Sequence, residues 1–214
     1  MNQDHEYTLL GGVNRAKVGR YLALASASVS GAITFLLLTL VDVAHRFGLP
    51  ANLPPEVISL AGAGSVFGVL YWLLNRYAWR WVGVTQWLKV PNLAGEWTCK
   101  GETIDADGNV RHSWHGSITI TQSWDKLRIR LKTSQSGSNS ISAALVRDDI
   151  DGFVLLYHYQ NEPKLGETEL HAHRGFAEIT FRKDLRYGEG EYFNGHGRNT
   201  FGRMRLIKAA QNVT

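Results

Sequence analysis

Hydrophobic and polar positions change texture twice along the 214 residues. From Tyr21 to Val41 the chain reads YLALASASVSGAITFLLLTLV, 21 residues without a charge. That is the length an α-helix needs to cross a bilayer core at about 1.5 Å per residue. A second uncharged run, Val57 to Leu74, follows a loop holding Pro50, Pro54 and Pro55. It ends among Tyr71, Trp72, Tyr77, Trp79 and Trp81, with Arg76 and Arg80 between them, the composition of a membrane interface. A cleaved signal peptide for the first run and a buried core helix for the second are the alternatives. Two runs joined by a short loop favour a membrane hairpin over both. The pattern predicts an N-terminal segment over 1–20, transmembrane helices over 21–43 and 57–75, and a β domain over 91–214.

From Gly95 onward, alternation replaces the helical period. Eight strands are expected: Gly95 to Lys100, Val110 to Gln122, Lys126 to Gln135, Asn139 to Arg147, Gly152 to Asn161, Glu169 to Phe181, Tyr187 to Asn194, and Phe201 to Lys208. Turn signals separate them, among them Ala106-Asp107-Gly108-Asn109, Ser136-Gly137-Ser138 and Asp148 to Gly152. Short connections imply antiparallel neighbours in up-and-down order, and eight such strands close into a barrel. An open sandwich is the competing fold.

The stretch Phe153 to Pro163, FVLLYHYQNEP, turns from apolar to polar within a few residues. As a strand it puts Phe153, Leu155, Tyr157, Tyr159 and Asn161 on one face, running from a packed interior to a wet rim. Leu127, Ile129 and Leu131 lead to Thr133 and Gln135 in the same way, while Ile118 and Ile120 lead to Gln122. On the sixth strand His171, His173, Gly175, Ala177, Ile179 and Phe181 share a face that is polar at its start. These changes predict a barrel with a polar, aromatic mouth, a place for a small ligand. The fourth strand, Ile141 to Val146, is too mixed to show an inner face.

The net charge of +4 divides into +3 over residues 1–90 and +1 over 91–214, so bulk electrostatics give no case for long nucleic acid. Arg15, Lys17 and Arg20 precede the first apolar run and Arg76, Arg80 and Lys89 follow the second, with Arg46 between them. The positive-inside tendency then puts both termini in the cytoplasm. The single Cys99 excludes an internal disulfide, fits a reducing compartment and reads as strand packing beside Trp97. Small residues at four-residue spacing, Ala23, Ala27 and Gly31, then Gly64 and Gly68, allow close helix contact within the hairpin or between protomers.

Catalytic chemistry finds little support in the sequence. His171 and His173 share a strand face, but zinc needs a further ligand, and no motif supplies one beyond a spatial approach of His158 or Glu169. Rim histidines are the plainer reading, and no metal is expected. The run Thr133-Ser134-Gln135-Ser136-Gly137-Ser138-Asn139-Ser140 lacks a G-x-S-x-G elbow and an identifiable base. It reads equally as a polar hairpin loop or as hydroxyls and N–H groups at the mouth for phosphate or sugar oxygens. Tyr157 and Tyr159 suit either a core or base stacking. Gly190 to Asn199 ends a strand in a glycine-rich loop with one cation, Arg198, suited to a phosphate.

These pieces in order carry a resemblance: two membrane helices, Gly95-x-Trp97, Gln122-Ser123-Trp124 leading into LRIRLKTSQSGS, the LYHYQNEP stretch and the closing GEYFN. The chain resembles the membrane-anchored two-helix β-barrel effectors of bacterial cyclic-oligonucleotide-based anti-phage signalling (CBASS) systems. Gly95-x-Trp97 is also similar to lipocalins, over one strand. The resemblance implies a non-enzymatic receptor in the bacterial inner membrane, two-pass, with a lipocalin-like eight-stranded barrel in the cytoplasm. Its partners would be a cyclic dinucleotide made by a cognate nucleotidyltransferase, further copies of itself and the lipid bilayer, with no cofactor. Ligand binding would drive assembly, membrane disruption and death of the infected cell. Carried over by position, the contacts would be Thr133, Ser134, Gln135, Ser136, Tyr157, Tyr159, Asn161, Tyr192, Asn194 and Arg198. A membrane-tethered carrier of an apolar molecule is the alternative, and it requires an apolar mouth.

Overall fold

The computed structural model describes residues 3–148, 150, 152–167, 170–195 and 198–210. They form two compact units, one from Val13 to Trp81 and one joining the residues up to Gly12 to those from Val82 onward.

The first unit is helical. Helix α1 (Arg15–Arg46) starts at Asn14, whose Oδ1 accepts from the Ala16 N–H at 2.7 Å. Its 32 residues span about 48 Å, and Leu24, Phe35, Leu36 and Leu40 are left exposed. Leu22, Ser26, Ser30, Thr34 and Leu37 recur every three to four residues as its covered side. The second apolar run departs from expectation. It forms two pieces, α2 (Pro55–Leu60) and α3 (Ala63–Arg76), in place of one helix over 57–75. Pro55 begins α2, and Gly62, extended at ψ 151°, interrupts the helix before α3. At 14 residues α3 covers about 21 Å, so α1 is the one helix among the described residues long and apolar enough to span a bilayer by itself. The break frees backbone carbonyls, and Ser30 Oγ of α1 donates to one of them, Ala61 O. The small-residue rows do not make this contact. Ala23, Ala27, Gly31, Gly64 and Gly68 are exposed, and a Cβ on any of the three glycines would meet nothing within 4 Å.

The second unit is a ring of nine strands with a short helix, α4 (Val82–Leu88). The strands are β1 (His5–Leu10), β2 (Gly95–Ile104), β3 (Val110–Gln122), β4 (Lys126–Thr133), β5 (Ser136–Asp148), β6 (Gly152–Pro163), β7 (His173–Phe181), β8 (Tyr187–Asn194) and β9 (Thr200–Lys208). Hydrogen-bonded neighbours run β1-β4-β3-β2-β9-β8-β7-β6-β5 and back to β1. The eight C-terminal strands pair antiparallel in up-and-down order, but they do not close on themselves. β4 and β5 pair at Arg130–Asn139, Leu131–Ser138 and Lys132–Gly137 beside their turn, and then part. The N-terminal strand, absent from the sequence expectation, fills the gap. It is antiparallel to β4 at His5–Leu127 and parallel to β5 from Tyr7–Ala143 to Leu10–Val146.

Alternation puts one side of every strand inside. Leu127, Ile129, Leu145, Leu155, Ile179, Phe181 and Leu206 pack with Trp97, whose ring meets Phe181 edge-on at 5.0 Å. β5, whose inner face the sequence left open, has Ser136, Ser138 and Ser140 buried, then a β-bulge between Ser140 and Ser142, then Leu145 buried. The extra residue shifts the alternation by one, which is why a period of two fails across Ile141.

Candidate functional site

The inner faces divide along the ring axis. At one end the segment before β2 is pinned across the core: Leu93 N donates to Gln122 Oε1 at 2.9 Å, Gln122 Nε2 donates to Pro91 O at 3.0 Å, and Trp97 Nε1 donates to Leu93 O at 3.0 Å. At the other end a cavity of about 510 Å³ opens among strands β2 to β9 and the segment after β8. That volume is in the range of small-ligand sites. All ten residues expected at the mouth line it: Thr133 to Ser136 at the β4–β5 turn, Tyr157, Tyr159 and Asn161 on β6, Tyr192 and Asn194 on β8, and Arg198.

Glycines give the rings their room. A Cβ on Gly175 would stand 2.5 Å from the Tyr159 ring, one on Gly101 would stand 2.1 Å from the Trp114 ring, and one on Gly202 would stand 2.9 Å from Tyr192 Oη. The rings therefore lie against the wall instead of filling the lumen. Polar bonds hold them there. Tyr192 Oη accepts from Trp114 Nε1 at 3.0 Å and pairs with Thr103 Oγ1 at 2.9 Å. Tyr159 Oη donates to Asn194 Oδ1 at 2.8 Å, and Asn194 Nδ2 donates to Thr200 Oγ1 at 2.8 Å. Thr133 Oγ1 accepts from Ser136 N at 3.0 Å and shapes the hydroxyl-rich turn.

Arg198 is the sole Lys, Arg, Asp or Glu among the described residues lining the cavity. Its charge reaches two buried neighbours. Burial raises the Tyr159 phenol, Tyr192 reinforces this and Arg198 opposes it. His173 is held below the usual histidine range by burial, with Arg198 acting in the same direction and the His171 carbonyl and Asn194 amide against it. Asn161 is 5 % exposed, and its Nδ2 has no hydrogen-bond partner.

Several expectations are corrected at this site. Gln122 lies at the pinned end, because antiparallel β3 and β4 pair Gln122 with Leu127 and bring Gly116 to Thr133 at the mouth. His171 precedes β7 and is exposed, while His173 opens the strand and is buried, so the two imidazoles share no face. His158 alternates outward with Leu156 and Gln160, and Glu169 lies outside the described residues. No group of three or more metal-ligating side chains exists among the described residues. Ser136 to Ser140 belong to β5, paired with β6 from Tyr159 to Pro163, and do not form a loop. Thr103 and Trp114 are cavity residues that the mouth reading missed, whereas His173, read as a rim histidine, does line the cavity. The signal for Trp114 and Thr103 was their parity with Ile118 and Trp97, followed toward the correct end of each strand.

Two family models match the chain. Residues 16–80 match Cap15, TM helices, and residues 88–208 match Cap15, cyclic dinucleotide receptor domain. A protein of Yersinia aleksiciae named CD-NTase-associated protein 15 is 41 % identical over 206 residues, which are 96 % of this chain and 98 % of that protein.

Proposed function

The chain belongs to the Cap15 family, and on that premise we propose that it is a membrane-anchored CBASS effector whose β ring receives a cyclic dinucleotide in this cavity. The observation that carries the assignment to the cavity is its lining: one guanidinium, a turn of hydroxyls, aromatic rings against the wall and a buried amide donor without a partner. A cyclic dinucleotide offers two phosphates for Arg198 and the Thr133–Ser136 turn, and two bases for the tyrosine rings and Asn161. The chain works as a receptor and not as an enzyme, and it needs no cofactor. An apolar carrier fits less well, because this lining buries polar groups that an apolar ligand leaves unpaired.

The membrane unit supports a two-pass reading. α2 and α3 in series lie between Pro55 and Arg76 and together supply about 30 Å of helix, and the Ser30–Ala61 bond meets the need of the carbonyl freed between them. Basic residues at both outer ends favour cytoplasmic termini and a cytoplasmic ring. The exposed small-residue rows are left for contacts between protomers in the bilayer. Ligand acts by favouring the assembled state over the resting one, and assembly disrupts the membrane. Calorimetric titration of the full chain in detergent with a panel of cyclic dinucleotides tests the receptor reading. One member is expected to bind tightly, with affinity reduced about tenfold or more by Arg198→Ala, the loss of a charge-assisted bond. Absence of binding by every member to the folded protein would sink it.

A further inference from the structure

The strongest unspent feature of the cavity is the Asn161 amide. A buried N–H without a partner carries the full cost of lost hydration, so a fold retains one where something else completes the bond. Asn161 has His173 as its register partner across the β6–β7 ladder. Antiparallel partners hold their Cβ atoms about 4.5–5.5 Å apart on one face. His173 Nδ1 lies 2.8 Å from His171 O, and a carbonyl only accepts, so Nδ1 carries the proton and Nε2 the lone pair of the neutral ring. Burial and the Arg198 charge both favour that neutral ring. The nearby Asn194 gives Nε2 no donor: one of its two N–H groups donates to Thr200, its Oδ1 accepts from Tyr159, and its contact with His173 is one that favours the protonated ring. One donor and one acceptor thus stand side by side on the cavity wall.

Resting on the receptor reading above, we propose that Asn161 and His173 read the edge of a nucleobase. Asn161 Nδ2 donates to a base carbonyl or ring nitrogen, and His173 Nε2 accepts from the neighbouring base N–H. A phosphodiester presents acceptors alone, so it matches Asn161 but not His173, and Arg198 is left to take the phosphate. The arrangement fixes the sign of a pH effect. Arg198 from the segment after β8 and Asn194 from β8 act on His173, and Tyr159 of β6 with His112 and His115 of β3 lines the same cavity. Protonating His173 places N–H on both ring nitrogens and removes the acceptor, so base binding weakens as the pH falls. A histidine serving as a phosphate cation gives the opposite sign.

The test is calorimetric titration of the full chain in detergent micelles with 3′,3′-linked cyclic di-UMP, cyclic di-GMP, cyclic di-AMP and cyclic GMP–AMP, at about pH 7.5 and about pH 5, the lower value set beneath the ordinary histidine range because burial holds His173 down. The member that binds is expected to bind Asn161→Leu about tenfold more weakly. Without ligand the same variant is expected to unfold at a higher temperature, because it no longer buries an unpaired donor. Affinity of the unmodified chain is expected to fall at the lower pH, and His173→Gln to flatten that dependence. Unchanged affinity with a lowered unfolding temperature for Asn161→Leu overturns the proposal by making Asn161 a structural residue. Tighter binding at the lower pH, lost in His173→Gln, overturns it by making His173 a phosphate cation. Either result leaves the receptor reading intact, whereas no binding by any member to the folded chain brings down both.

Discussion

Tyr159 and Tyr192 face the lumen because the residues opposite them are glycines. Gly175 and Gly202 leave no side chain where the phenol rings lie, and Asn194, Thr103 and Trp114 tie the hydroxyls down. Gly175→Ala is therefore expected to push Tyr159 off the wall. The added methyl also meets Phe193 O at 2.6 Å, and overpacking of this kind costs about 1–3 kcal/mol. A thermal melt and a titration of the same sample check it: both stability and affinity should drop, and an unchanged melt would show that the wall yields. Cys99 behaves differently, as a small core side chain. Burial pushes its thiol up to about 12, so the thiolate is scarce at neutral pH. A thiol reagent such as DTNB is expected to leave the native protein unlabelled and to label it upon unfolding. At this scale much was legible, because strand parity in Phe153 to Pro163 names Tyr157, Tyr159 and Asn161 directly. His173 was weighed as a rim or metal residue, because its burial depends on β7 starting there and not at Glu169.

Among the elements, β1 was the least legible. HEYTLL is six residues with no strong alternation, and its partners lie more than a hundred positions away, so local pattern carries no trace of the pairing. Yet Tyr7 is 2 % exposed in the core, and His5 Nε2 reaches Ser140 Oγ at 2.7 Å beside the bulge of β5. Residues 91–214 cut free of the rest would lose this strand and expose the gap between β4 and β5. Deleting residues 1–12 is expected to cost about 3–5 kcal/mol, the scale of losing one large buried side chain. Denaturant unfolding of the truncated chain measures this, and an unchanged midpoint would show that β4 and β5 close without it. The β5 bulge and the break at Ala61 and Gly62 escaped sequence reading for a related reason: each is an interruption of one or two residues inside an otherwise regular run. Ser30→Ala removes the hydroxyl that meets the break at Ala61 O, and about 1 kcal/mol of hairpin stability should go with it. Steric-trap or urea unfolding in micelles reads that loss.

The whole molecule joins an apolar helical unit to a polar-mouthed ring, and the fold class of each half was written in its hydrophobic pattern. What the pattern could not supply was closure, since eight strands of suitable length do not reveal that a ninth completes the ring. The central claim concerns the coupling of these halves: a cyclic dinucleotide in the cavity changes what the helices do in the bilayer. Release of an encapsulated dye from liposomes carrying the full chain tests it most directly. The account predicts leakage when the cyclic dinucleotide that binds is added, none without it, and none for Arg198→Ala at the same ligand concentration. Leakage of equal rate with and without ligand would contradict it.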